Sequence, residues 1–340
     1  GGPDGLDFHN IYAYSTCDKE LSEKFDNNIY LAGGQDCHDA MGREFVYPPL
    51  LFFAAKWVGS FDTFEAARLA WRILIILGTL ISLFIWAGSV KNFILTLPFT
   101  LLLYFQFPML FALERGNNDI LVLLTWTFAY YFFSRKSYFI SGVFAALCVL
   151  MKVYPLFAFM IIFGGITLSF VREKFLLGHN VSRKCLNNFS IGSILAGLFV
   201  IIIFKDLWYS WYLRVSHFSD FEMVVSHLNH SVQYFLEAKI FGKVIFLFMM
   251  GVWTLHFIYS RKDRRAFTFA GALASTTYYS AVSYDYNLIT VYPLIMLSIL
   301  SLLKKFEWKY YWILLGILVG VIGHRGMFFW GNEIGFKFHM

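Results

Sequence analysis

Long apolar runs, rather than alternating ones, dominate this chain. From about Ala66 onward they recur at lengths close to a bilayer crossing, at 66–88, 92–113, 118–134, 138–152, 153–171, 186–204, 240–260, 266–283, 286–303 and 308–323. A helix needs roughly 20 apolar residues to cross a hydrocarbon core about 30 Å thick. The runs at 118–134, 138–152 and 308–323 fall short of that, which predicts broken helices in the middle of the bundle. Residues 1–49 are polar and acidic, and the apolar piece at 50–61 is too short to cross, so it reads as an interfacial or re-entrant helix. The pattern predicts an all-α, multi-pass transmembrane bundle of about ten spans plus one short interfacial helix. The bundle covers 50–323 and includes an outer loop at 205–239; polar segments flank it at 1–49 and 324–340. No internal repeat is visible, which argues against transporter folds built from inverted halves.

Composition agrees with the pattern. The 340 residues are 58% hydrophobic and only 15% charged, against about 25% charged in soluble domains, and mean hydropathy is +0.59. The net charge of +6 lies in short loops rather than on one soluble face, so nucleic acid is not indicated as a partner.

Loop charges orient the spans. Fourteen Lys and Arg fall around Lys91, Arg135–Lys136, 172–184, 261–265 and 304–309, beside three acids, Glu173, Asp263 and Glu307. Alternate spans connect these loops, so one orientation makes them all cytoplasmic, as the positive-inside rule requires. Residues 1–49, 114–118, the break at 152–155, 205–239, 284–287 and 324–340 then share the outer side. The chain opens Gly-Gly-Pro without an initiator Met; an outer start implies a further helix upstream. Cys17 and Cys37 share the first polar segment, where a disulfide and two free thiols are both compatible with the sequence.

The candidate chemistry sits on the outer side. Glu114, Arg115, Asn117, Asn118 and Asp119 form a dense polar knot around Gly116. Charges are costly at bilayer depth and belong at an interface or in a wet cavity. Gly116 permits a sharp turn, and Asn118 or Asp119 is placed to cap the next helix. Met151-Lys152-Val153-Tyr154-Pro155 interrupts a long apolar run. Pro155 breaks the helix there, and Lys152 either snorkels to the interface or offers a fixed positive charge to a phosphate. Asp7, in Gly5-Leu6-Asp7-Phe8-His9, is a carboxylate able to act as general base, or one solvated acid among several. Tyr47-Pro48-Pro49 suits a helix start. The loop at 205–239 holds Trp208, Trp211, His227, Asn229 and His230, without a metal-site spacing. Asp285 opens a late span as a cap, and Arg325 follows the last one as an interfacial anchor. No Walker loop or dinucleotide fingerprint is present, so no soluble nucleotide site is indicated.

Taken in order, the early Asp-Phe pair, Tyr47-Pro48-Pro49, Arg115-Gly116-Asn117-Asn118-Asp119, Lys152-Val153-Tyr154-Pro155 and Leu228-Asn229-His230-Ser231-Val232 resemble the GT-C membrane glycosyltransferases. The likeness is to the polyprenyl-phosphate-mannose-dependent mannosyltransferases of glycosyltransferase family 87, with His230 where that family has Gln. The resemblance implies inverting transfer of a sugar, mannose or another hexose, from a polyprenyl-phosphate donor to a lipid or glycan hydroxyl. That chemistry would occur on the extracytoplasmic face of a bacterial plasma membrane, with Asp7 as general base. Arg115, Lys152, His230 and Arg325 would bind the donor phosphate. Tyr47, Glu114, Asn117, Asn118, Asp119, Tyr154, Asn229 and Asp285 would contact substrate. No metal or cofactor is implied; the partners are the lipid-linked donor, the acceptor and membrane lipids. A lipid-linked-sugar flippase or transporter is the alternative of another class. It needs a polar path through the whole bilayer, whereas the ionisable residues concentrate on one side. A ligase using a diphosphate-linked oligosaccharide is a weaker third reading.

Overall fold

The computed structural model describes residues 8–13, 15, 30, 47–88, 103, 106–174, 181–217, 239–260, 264–279 and 289–303. Among them the ordered elements are all helical: α1 (Leu51–Val58), α2 (Phe64–Gly88), α3 (Phe107–Arg115), α4 (Asp119–Ser134), α5 (Tyr138–Met151), α6 (Pro155–Arg172), α7 (Val181–Ile203), α8 (Lys205–His217), α9 (Lys239–Tyr259), α10 (Arg265–Tyr279) and α11 (Tyr292–Leu303). Three helical stretches, α2, α6 and 183–203 of α7, are long and apolar enough to cross a membrane. The segment at 50–61 contains the expected short helix, α1.

Several boundaries differ from the sequence expectation; within the span expected at 92–113 the backbone is extended at Gln106, φ −76° and ψ 152°, and the short α3 begins only at Phe107. The stretch at 205–239 was expected as loop, yet Lys205–His217 is helical. Its Trp, Tyr and Leu side chains are spread among polar ones, so periodicity is weak there. The late span expected from 286 has its helix starting at Tyr292, with Pro293 in the first turn, where its missing N–H is tolerated. The expected span at 308–323 lies outside the described residues.

The core is largely apolar but also takes in polar groups, while many large apolar side chains face outward. Thr79, Ser82, Asn117, Asn118, Asp119, Thr127, Ser141 and Thr268 are buried. Phe199, Ile202, Leu247 and Phe248 are each about two-thirds exposed, at 65%, 65%, 66% and 67%. Soluble proteins rarely show apolar patches of more than a few hundred Å², so these faces of α7 and α9 are suited to lipid.

Interhelical hydrogen bonds join the buried polar groups, as expected where water is excluded. Trp86 Nε1 donates to Thr127 Oγ1 at 2.9 Å, joining α2 to α4. Trp126 Nε1 donates to the Phe269 carbonyl at 2.9 Å, joining α4 to α10. The Tyr292 hydroxyl accepts from the Met109 N–H at 3.2 Å, joining α11 to α3. Helices α5 and α7 pack so closely that a Cβ added at Gly142 would collide with the Phe189 carbonyl, and Ser193 Oγ donates to the Gly142 carbonyl at 3.1 Å.

A tight turn at 135–137 joins α4 to α5, with Lys136 at φ 62°. The two helices pack against each other as an antiparallel pair, so the end of α5 returns to the start of α4. The opposite, basic end gathers Arg172, which donates to the Ile258 carbonyl at 3.3 Å and lies 4.9 Å from the Tyr259 ring. Arg265 lies 4.8 Å from the Phe257 ring and 6.0 Å from that of Phe133 at the same end.

Candidate functional site

Helix α3 ends where Gly116 adopts φ 68°, ψ 45°, the left-handed conformation that favours glycine, with its N–H bonded to the Ala112 carbonyl. Two donors from α2 pin this turn: Trp71 Nε1 to the Gly116 carbonyl at 2.9 Å, and Arg72 Nε to the Leu113 carbonyl at 3.3 Å. Phe8 covers it, so that a Cβ on Gly116 would lie 2.5 Å from the Phe8 Cβ. The Phe8 ring packs against Phe64 and Trp71 at 5.4 and 6.0 Å.

The three residues after Gly116 turn inward. Asn117, Asn118 and Asp119 are 1%, 1% and 0% exposed, which separates them from an ordinary solvated cap. Asn118 occupies the N-cap position of α4 but its side chain makes no capping bond. Asn117 Oδ1 instead accepts from the Asp119 N–H at 2.6 Å. The capping expected of Asn118 or Asp119 is thus made one residue earlier, because Asn118 takes up helical backbone angles, φ −88° and ψ −1°.

Lys152 completes the cluster. Helix α5 stops at Met151, Lys152 is extended at φ −148°, ψ 147°, and α6 begins at Pro155. Lys152 Nζ donates to Asp119 Oδ1 at 2.6 Å, and the Tyr154 hydroxyl donates to the same oxygen at 3.0 Å. The sequence offered Lys152 an interfacial or a phosphate-binding role; the structure gives it a carboxylate partner, with its side chain 14% exposed and that of Asp119 fully buried. Lys152 Nζ also lies 5.8 Å from the Tyr47 ring and 6.0 Å from the Tyr154 ring. The Tyr47 carbonyl accepts from the Tyr30 hydroxyl at 2.6 Å, which fixes the Tyr47-Pro48-Pro49 segment beneath the pair.

Of the sequence candidates, buried Asn117, Asn118 and Asp119 and half-buried Tyr47, Lys152 and Tyr154 therefore belong to one neighbourhood at one end of the bundle. Glu114 is exposed on α3, and the Arg115 guanidinium lies over the Phe111 ring at 5.8 Å. Asp7, Asn229, His230, Asp285 and Arg325, like Cys17 and Cys37, lie outside the described residues. Trp71, Arg72 and Tyr30 were not singled out from the sequence. Only their donor chemistry could have pointed to them, because nothing local marks which carbonyl a Trp or Arg will reach. Among the described residues no three His, Cys, Asp or Glu side chains gather as a metal site.

An apolar groove of about 700 Å³ opens beside this neighbourhood. Leu50 and Phe53 line one side, Val143 and Leu147 of α5 a second, and α7 residues from Leu195 to Ile203 a third. Leu50 follows Tyr47-Pro48-Pro49 directly, and Leu147 lies about 7.5 Å along α5 from Lys152 at 1.5 Å per residue.

Removing two charges from water costs several kcal/mol per ion, and their attraction repays this only in good geometry with the remaining atoms satisfied. Among the described residues Asp119 Oδ2 has no hydrogen-bond partner. A buried, incompletely satisfied ion pair within an apolar bundle is weak as a stabilising device, and such residues mark functional sites by default. No family model, curated protein or solved structure matches this chain.

Proposed function

We propose that the protein is a membrane glycosyltransferase of GT-C-like architecture with about ten spans, which moves a hexose, mannose first among them, from a polyprenyl phosphate to an acceptor hydroxyl. The reading places the reaction on the extracytoplasmic face of a bacterial plasma membrane. The observation that carries it is the meeting of Lys152 and Asp119 at 2.6 Å beside Tyr47, next to an apolar groove. A lipid phosphate has the same two parts: an anion for the ammonium and a long chain for the groove.

The acceptor oxygen attacks the anomeric carbon and passes its proton to Asp7. The bond from that carbon to the phosphate oxygen breaks with inversion, and the electron pair leaves on the phosphate. The leaving group is already a stable anion, so its departure needs fixed cationic donors rather than an acid. Lys152 carries three N–H donors, one of them held by Asp119, and the others are available to phosphate oxygens. Arg115, His230 and Arg325 are the further cations of this reading. Asp119 and Tyr154 orient the ammonium, a positioning role. Phe8, the residue after Asp7, packs on Gly116 at the same turn, which supports a general base near this cluster.

The test is transfer in lipid nanodiscs from a mannosyl polyprenyl phosphate labelled in its sugar, with a membrane lipid extract as acceptor. Label should move to a new product while free polyprenyl phosphate appears. The Asp7→Asn protein should fold and insert normally but transfer nothing, and full activity in that variant would remove Asp7 from the mechanism. In sealed vesicles, label that crosses the bilayer while still attached to its lipid phosphate would replace transferase with flippase.

A further inference from the structure

Asn118 is 1% exposed, and among the described residues neither its amide nitrogen nor its amide oxygen has a hydrogen-bond partner. The adjacent residue, Asp119, presents Oδ2 in the same condition, although its Oδ1 receives both Lys152 and Tyr154. An unmade hydrogen bond on a buried polar atom costs about 1–3 kcal/mol, and here three such atoms fall on consecutive residues. Capping does not account for Asn118, because Asn117 performs it. Nor does α4 require an asparagine for its backbone there, since φ −88°, ψ −1° matches the third position of a type I turn, which most residues adopt.

The chemistry of the three atoms selects the ligand. An anion placed directly against Oδ2 would meet the negative charge of the carboxylate itself. A cation is disfavoured by Lys152 at 2.6 Å from the same carboxylate. A hydroxyl, which donates and accepts at once, suits an array of one amide donor and two acceptors.

We propose that Asn118 and the Oδ2 edge of Asp119 form a neutral, hydroxyl-reading subsite for the sugar ring of the donor. This rests on the lipid-phosphate-sugar reading above and divides its labour: Lys152 holds the phosphate, and the Asn118–Asp119 turn recognises the sugar. Asn118 is thereby a specificity-determining residue. Its amide donates to one ring hydroxyl and accepts from another, while Asp119 Oδ2 accepts from a third or from one of the same pair.

Asn118→Leu tests this, because Leu nearly matches Asn in shape and replaces an unsatisfied group with an apolar one. Binding is measured in nanodiscs with two probes, farnesyl-phosphate mannose and farnesyl phosphate. Asn118→Leu should weaken the sugar-bearing probe about three- to tenfold, the loss of one or two hydrogen bonds, leave farnesyl phosphate unchanged, and keep or raise the melting temperature. Lys152→Met, as the contrast, should weaken both probes alike. Unchanged binding of both probes by Asn118→Leu would mean that the amide only holds a buried water, and would overturn the subsite; so would equal weakening of both. Failure of the unaltered protein to bind either probe would sink the lipid-phosphate reading itself, a result distinguishable from the other two. Should Asn118→Leu not fold, Asn118→Val and Asn118→Ala carry the same comparison.

Discussion

A lysine ammonium and an aspartate carboxylate, 33 residues apart in sequence, lie 2.6 Å apart inside an apolar bundle. Deleting one member of such a pair costs about 3–5 kcal/mol, whereas replacing both is often close to neutral. Lys152→Met alone should therefore lower the melting temperature in detergent sharply, and Lys152→Met with Asp119→Leu should recover more than half of the loss. Strict additivity in that double-mutant cycle would mean that the two groups do not interact. Gly116 is a second sensitive position. Any side chain there meets both the positive φ and the Phe8 Cβ at 2.5 Å, so Gly116→Ala should cost about 1–2 kcal/mol or more, read as a fall in melting temperature. At this scale the sequence is informative about residue types and poor about partners. The glycine turn, the proline break and the clustered polar residues are visible in the string. That Lys152 would be held by Asp119, or that Asn117 rather than Asn118 would cap α4, depends on the antiparallel return of α5, which no local signal encodes.

Helix lengths explain why most elements were legible and their roles were not. Apolar runs flanked by Gly, Pro and charge mark α2, α4, α5, α6, α7 and α9 to within a few residues, because a helix satisfies its own backbone wherever apolar side chains exclude water. Helix α8 was missed because its mixed polar and aromatic sequence has no long apolar run. Contacts between helices are harder to read, since a close approach depends on a single small residue. At Gly142 an added Cβ would strike the Phe189 carbonyl on α7, whereas at Gly164 it would meet nothing within 4 Å among the described residues. Gly142→Leu should accordingly abolish the folded, monodisperse protein recovered in detergent, while Gly164→Leu leaves its yield and melting temperature nearly unchanged. Equal behaviour of the two variants in size-exclusion chromatography would mean that α5 and α7 are not packed as described.

For the whole molecule the decisive property is which end faces which side. The α4–α5 hairpin places its turn, with Arg135 and Lys136, at one end and the Asp119–Lys152 pair at the other, and Arg172 and Arg265 gather at the turn end. In the multi-pass reading proposed above, the positive-inside rule would assign the end rich in Lys and Arg to the cytoplasm and the polar cluster to the other face. Single cysteines separate the two ends: Lys136→Cys at the turn, and Val153→Cys beside the pair, both at exposed positions. Cys148 and Cys185 are buried and should react slowly; Cys17 and Cys37 are replaced by Ser in the background. In right-side-out vesicles a membrane-impermeant maleimide should label Val153→Cys at once and Lys136→Cys only after permeabilisation. The reverse pattern would put the cluster on the cytoplasmic face, where an extracytoplasmic transfer reaction has no access to it. Labelling of both from one side would contradict a crossing by this hairpin. Its two helices, shorter than those of the three membrane-length stretches, would then have to lie as a re-entrant pair.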